Sequence, residues 1–226
     1  MSDGLSRVRV WDLPTRLFHW LLAACVFGSL GSAWIGGNAM VWHLRLGFTV
    51  LALLVFRILW GLVGGRWSRF ASFVFAPATL ARYLRGQSRA HELHHVGHNP
   101  LGAISVFAFL ALLALQVGTG LVADDEIATT GPLNRFVSGA TASLATHWHK
   151  DYGQWLILVL VVLHVGAILY YGVRRRDNLL RPMLTGDKRL AQGIPGSTDT
   201  PRSRLLALVL IGACAAAVTW IVRLGG

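Results

Sequence analysis

Four histidines lie on or inside long apolar runs. His19 sits in "RLFHWLLAACVFG" (16–28) and His43 in "VWHLRLGFTVLALL" (41–54). His149 and His164 lie towards the two ends of "HWHKDYGQWLILVLVVLHVG" (147–166), where every residue from Trp155 to Gly166 is apolar except His164. A polar group in hydrocarbon is costly, so a histidine kept there needs a partner. Taken singly, each is more often a hydrogen-bonded structural residue. Four of them on three helices are harder to read that way, because their depths pair.

His19 is near the cytoplasmic start of the first run and His43 near the outer start of the second. His149 opens the fourth run. His164 is 15 positions further on, roughly 22 Å at about 1.5 Å per residue. The pairs are therefore His19 with His164 at the inner level and His43 with His149 at the outer one. At about 100° per residue, 15 positions return to within roughly 60° of the same face, whereas His147 would be off by roughly 100°. A haem iron takes two axial imidazoles, and bundle cores are where such cofactors sit. Zinc would want more ligands at one point. A proton relay would mix histidines with carboxylates, yet the first four runs contain no Asp or Glu. Two haems stacked across a membrane form an electron path. With both axial positions filled, electron transfer is favoured over oxygen chemistry.

The elements that must position these residues are transmembrane helices. The 226-residue chain is 54% hydrophobic and 14% charged. Five windows, 18–36, 42–63, 101–122, 152–172 and 204–222, approach or reach the ~20 residues that span a bilayer as a helix. The apolar–polar alternation of a membrane β-barrel is absent. The expected fold is an all-α membrane protein: a four-helix bundle within residues 1–190, then a linker and a fifth transmembrane helix in 191–226.

Arginines set the orientation. Arg7, Arg9 and Arg16 precede the first span, Arg66, Arg69, Arg82, Arg85 and Arg89 follow the second, and Arg174, Arg175, Arg176 and Arg181 follow the fourth. The 123–148 loop carries Asp124, Asp125 and Glu126, with Arg135 its one Arg or Lys. The positive-inside bias predicts a cytoplasmic N-terminus in a bacterial inner membrane and an outer 123–148 loop. The net charge of +11 then reflects topology and anionic lipid rather than nucleic-acid binding.

Two other patterns carry less. "HELHH" (91–95) matches the H-E-x-x-H zinc-protease signature, but Gly97 and Pro100 follow at once and no third ligand stands downstream; chance is the better account. Cys25 and Cys214 lie singly inside spans, and there is no C-x-x-C-H for a covalent haem.

Several separated stretches resemble one family in order: "VRVWDLPTRLFHWLL" (8–22), "WHLRLGFTVLALLVFRILWGLVGGRWSRF" (42–70), "GHNPLGA" (97–103), "GPLNRFVSGATASLATHWHKDYGQW" (131–155) and "LHVGAILYY" (163–171). They are similar to the prokaryotic cytochrome b561 family, which includes the b-type cytochrome subunits of nickel–iron hydrogenases. The resemblance covers about residues 8 to 190. It implies a four-helix core with two non-covalent haem b groups ligated from spans one, two and four, which carries over onto His19, His43, His149 and His164. Many relatives have an acidic residue after the outer ligand of span four. Here Lys150 stands there, and the 149-to-164 interval is a residue long.

Arg57 lies inside span two, 14 positions after His43 and nearly on the same face. A buried arginine needs an anion; a haem propionate and a snorkelling contact with headgroups are the two readings. Gln116 in span three has no evident partner. Trp20, Trp42, Trp60, Trp67 and Trp155 near span ends form the usual interfacial belt.

The expected function is electron transfer in a respiratory chain, between the quinone pool and a redox partner: a hydrogenase or other dehydrogenase subunit, a c-type cytochrome, or superoxide. Membrane lipid surrounds the chain, and a homodimer is compatible with it. No nicotinamide or flavin fingerprint is present, so substrate chemistry falls to a partner or the quinone. The rival reading is a haem-free histidine-bearing membrane anchor or metal-ion transporter.

Overall fold

A computed structural model describes residues 5–88, 92–93, 96–127 and 129–225. The histidines of "HELHH" at 91, 94 and 95 lie outside the described residues. The elements are β1 (Leu5–Arg9), α1 (Leu13–Ile35), α2 (Met40–Val63), α3 (Pro77–Leu84), α4 (Pro100–Val122), α5 (Gly139–His147), α6 (Gln154–Arg174), α7 (Leu180–Thr185), β2 (Asp187–Ala191) and α8 (Pro201–Arg223). A π-turn, Trp148–Gly153, joins α5 to α6 without a break, so 139–174 is one continuous rod.

Among the described residues, five helices are long and apolar enough to cross a membrane. They are α1, α2 with the short turn before it, α4, the 139–174 rod and α8. Large apolar side chains stay on their surfaces, Leu156, Val159, Val162 and Leu163 of α6 among them. Only an apolar surrounding makes that arrangement favourable. The first helix begins five residues before the expected boundary. Asp12 starts it there: its Oδ1 accepts the Thr15 amide at 2.8 Å and its carbonyl the Arg16 amide. Pro14 fits the first turn, where its missing N–H is no loss. Gly36 and Gly37, both at positive φ (69° and 52°), make the tight turn from α1 to α2.

The chain divides into two compact units. One comprises the residues up to Leu17 with Arg57–Ala108 and Leu163–Ala207. Here β1 pairs antiparallel with β2, from Leu5 opposite Ala191 to Arg9 opposite Asp187. The ribbon packs Val8, Val10, Trp11, Trp67, Val96 and Leu190 into a small core. Asp12 is completely buried beside it and gathers four donors: the Thr15 and Gly65 amides, the Trp60 indole and the Ser68 hydroxyl. The second unit comprises Phe18–Phe56, Phe109–Val162 and the chain from Leu208 onward. It holds the loop between α4 and α5, where Asp124 bridges Thr130 and Ser138 caps α5 through the Thr141 amide.

Candidate functional site

Two of the four span histidines meet in the second unit. His43, in the first turn of α2, and His149, in the π-turn, have ring centroids 5.8 Å apart and ring planes at 88°. His43 Nδ1 donates to the Ser29 carbonyl at 2.9 Å, with Ser29 Oγ 3.1 Å away. His149 Nδ1 donates to the Gln116 carbonyl at 2.8 Å. A carbonyl oxygen only accepts, so each ring carries its proton on Nδ1. In the neutral ring Nε2 keeps its lone pair, the form in which imidazole binds a metal while its other nitrogen is held.

Both rings line one cleft of about 990 Å³, counting its open side, with Ser29, Gly47, Gln116 and Gly120 in the same wall. Most of its remaining wall is apolar, including Leu30, Leu44, Phe48, Leu113 and Ile157. Gly120 lets the helices close: a β-carbon there would lie 2.8 Å from His149 Cε1. Paired imidazoles with Nδ1 held by backbone carbonyls, in a largely apolar cleft, would fit a haem. Arginine and thiolate ligands play no part in this cleft.

His147, two residues away, is differently placed. It is 57% exposed, pairs with Asp151 at 2.6 Å and meets the edge of Tyr152. His19 lies in α1 against the edge of Trp20, at 5.0 Å between centroids. His164 lies on the less exposed stripe of α6, with Gly153, Ile157 and Ile168. His19 falls in the second unit and His164 in the first.

Arg57 belongs to the first unit and is 3% exposed. On α2 it continues the stripe that runs His43, Gly47, Val50, Leu54, Arg57. Its guanidinium lies 4.8 Å above the Phe70 ring, and Asp12 is the anion whose field reaches it. Its Nη1 is buried with no hydrogen-bond partner. A buried cationic donor left open in this way favours an anion beside it. In the same unit the Tyr83 and Tyr171 hydroxyls share a hydrogen bond of 2.6 Å. Burial first, and that bond second, push the Tyr83 phenol well above its usual value. Glu92 of "HELHH" accepts from Arg82 at 2.7 Å. Among the described residues, no group of three or more His, Cys, Asp or Glu could hold a metal ion.

Sequence reasoning missed two participants. The Asp12 hub had a signal, an aspartate two residues before a proline at the head of an apolar run. Gln116 had only its polarity within a span.

Five long apolar helices, with imidazoles presented from different helices to an internal cleft, define a class: helical membrane proteins that carry a metal-bearing cofactor inside the bundle. The family model for prokaryotic cytochrome b561 matches residues 10–186. The chain belongs to that family. It is accordingly a b-type cytochrome, and haem b supplies one-electron redox chemistry when bound. The chain is 23% identical over 219 residues to the probable Ni/Fe-hydrogenase 1 B-type cytochrome subunit of Escherichia coli K12, covering 82% of this chain and 92% of that protein. It is 27% identical over 217 residues to the corresponding probable Ni/Fe-hydrogenase subunit of Cupriavidus necator (82% and 88%). It is 25% identical over 231 residues to that of Azotobacter chroococcum (82% and 92%). No solved structure matches.

Proposed function

We propose that this chain is the membrane-embedded, di-haem electron carrier of a nickel–iron hydrogenase, passing electrons between that partner and the quinone pool of the bacterial inner membrane. The observation that carries the reading is the facing pair His43 and His149, each with Nδ1 tied to a backbone carbonyl. The relatives' names supply the hydrogenase.

In this reading His43 and His149 hold the outer haem iron. His19 and His164 are assigned to the inner one on the sequence argument from helical depth alone. Arg57 pairs a propionate, which would satisfy its open Nη1. The di-haem unit is residues 1–190, and 191–226 adds a linker and one further span. The four imidazoles would hold the haems when bound and leave no ligand position for substrate, so the chemistry supplied there would be gain and loss of an electron. Proton exchange then belongs to the quinone.

Purified protein should show a low-spin b-type spectrum on reduction and yield two haems per chain in the pyridine haemochrome assay. Its reduced spectrum should be discharged by a water-soluble quinone analogue. One haem or none would overturn the di-haem reading, and a reduced form that no quinone oxidises would overturn the quinone role.

A further inference from the structure

Gln116 is a polar residue of α4 that haem ligation by itself leaves without a task, and it touches His149 twice. Its backbone carbonyl accepts His149 Nδ1 at 2.8 Å. Its side-chain Nε2 donates to the His149 carbonyl at 2.9 Å. One residue therefore grips both the ring and the main chain of the same histidine. The grip falls on the π-turn, where the regular α-helical ladder is interrupted and carbonyls take side-chain donors instead. Gln154 Nε2 does the same for the neighbouring Lys150 carbonyl.

The orientation of the Gln116 amide follows from its surroundings. Reversing it would set oxygen against the His149 carbonyl oxygen. As it stands, Oε1 is buried against Gly153, where a β-carbon would lie 1.8 Å from it and 3.3 Å from the Trp148 indole nitrogen. Gln116 Oε1 and Trp148 Nε1 are both buried without a hydrogen-bond partner. They are a complementary acceptor and donor beside one glycine, and any side chain at 153 would drive the amide out.

We propose that Gln116 is a positioning residue for His149: its amide, seated on Gly153, locks the π-turn and so sets how the imidazole is rotated and how strongly it donates. The proposal rests on the reading that His149 holds the outer haem. A ligand's second nitrogen and its hydrogen-bond acceptor fix ring orientation and basicity, and both tune a haem's potential and low-spin signature.

The test uses the full-length, haem-loaded protein, with low-temperature electron paramagnetic resonance and a potentiometric titration resolving the two haems. Gln116→Leu keeps the backbone carbonyl and loses the amide. It should retain two haems while shifting the low-spin g values and midpoint potential of the one that His149→Ala removes. Gly153→Ala leaves Gln116 in the chain but displaces its amide, and should shift the same signals. Gln116→Glu, matched in shape but unable to donate when ionised, should not restore them. If Gln116→Leu loses that haem outright, Gly153→Ala decides. Unchanged g values and midpoints in both variants, or shifts confined to the other haem, would overturn the clamp. Failure of His149→Ala to remove either haem would instead overturn the ligand assignment.

Discussion

An imidazole has two nitrogens, and what holds the first decides what the second can do. His43 and His149 give their Nδ1 protons to the carbonyls of Ser29 and Gln116, leaving Nε2 for the cleft. His147 gives its Nδ1 to the Asp151 carboxylate at the surface. His43→Ala and His149→Ala should therefore remove one and the same haem component, seen as loss of a single step in a redox titration. The double variant should lose no more than either alone if, as proposed, the two residues serve one iron. His147→Ala should leave both components in place. Loss of a haem in His147→Ala, or of different haems in the other two, would reject the outer pairing. The ligand candidates were legible in the sequence, since a histidine in an apolar run is conspicuous. Their partners were not, because a backbone carbonyl has no letter in the sequence. Gln116 was visible as an oddity but not as a contact, since it lies 33 residues from His149 in the chain.

At the level of elements, the π-turn accounts for the long interval between His149 and His164. A π-turn closes on i→i+5 and takes up one residue more than an α-turn. The 15 positions therefore advance the helix as about 14 α-helical ones would, and the angular offset stays within roughly 60°. The spans themselves were legible because hydrocarbon demands long apolar helices. The β1–β2 ribbon was not, since Val8 finds Lys188 across most of the chain. Asp12 joins these parts. Asp12→Ala would remove the α1 cap, worth about 1 kcal/mol, and strand buried donors at about 1–3 kcal/mol each. A loss of roughly 3 kcal/mol or more is expected, measured as a lower thermal midpoint in detergent and checked against Asp12→Asn. A loss under about 1 kcal/mol would mean the hub is only a cap. Asp199 holds the segment before α8, between Arg9 at 2.7 Å and Arg204 at 2.8 Å. Burial alone would raise its carboxyl, but the Arg204 hydrogen bond, the Leu13 amide and the two positive charges outweigh that and lower it. Its stabilisation is therefore complete above the ordinary carboxylate value of about 3.9. It fades as pH falls through the lower folded value. Limited proteolysis after residue 191 should rise in the native protein only in strong acid. Asp199→Asn should be cut readily at neutral pH, and equal resistance there would show the ion pairs to be idle.

For the whole molecule, charge decides which way the helices run. Lys and Arg outnumber Asp and Glu by 21 to 10, and the excess is not spread evenly. Arg7, Arg9, Arg66, Arg69, Arg174, Arg175 and Arg176 flank one set of helix ends, while Asp124, Asp125 and Glu126 mark the other. On the positive-inside rule the bias predicts that these arginine-rich ends are cytoplasmic, with the first helix oriented by them and the rest following in alternation. Five candidate spans are present, and an odd number puts the two termini on opposite sides. The ion pairs of Arg9 and Arg204 with Asp199 bring the head of the chain and the head of α8 together, within the same unit. That contact puts the start of α8 beside the N-terminal strand, and α8, if it spans, then ends on the opposite side of the membrane. A phosphatase that folds only in the periplasm should be active when fused after Arg223 and inactive after Arg176. A fluorescent protein that matures only in the cytoplasm should behave the opposite way. Cytoplasmic fluorescence from the C-terminal fusion would mean that α8 does not cross, leaving four spans and a helix lying on the membrane surface.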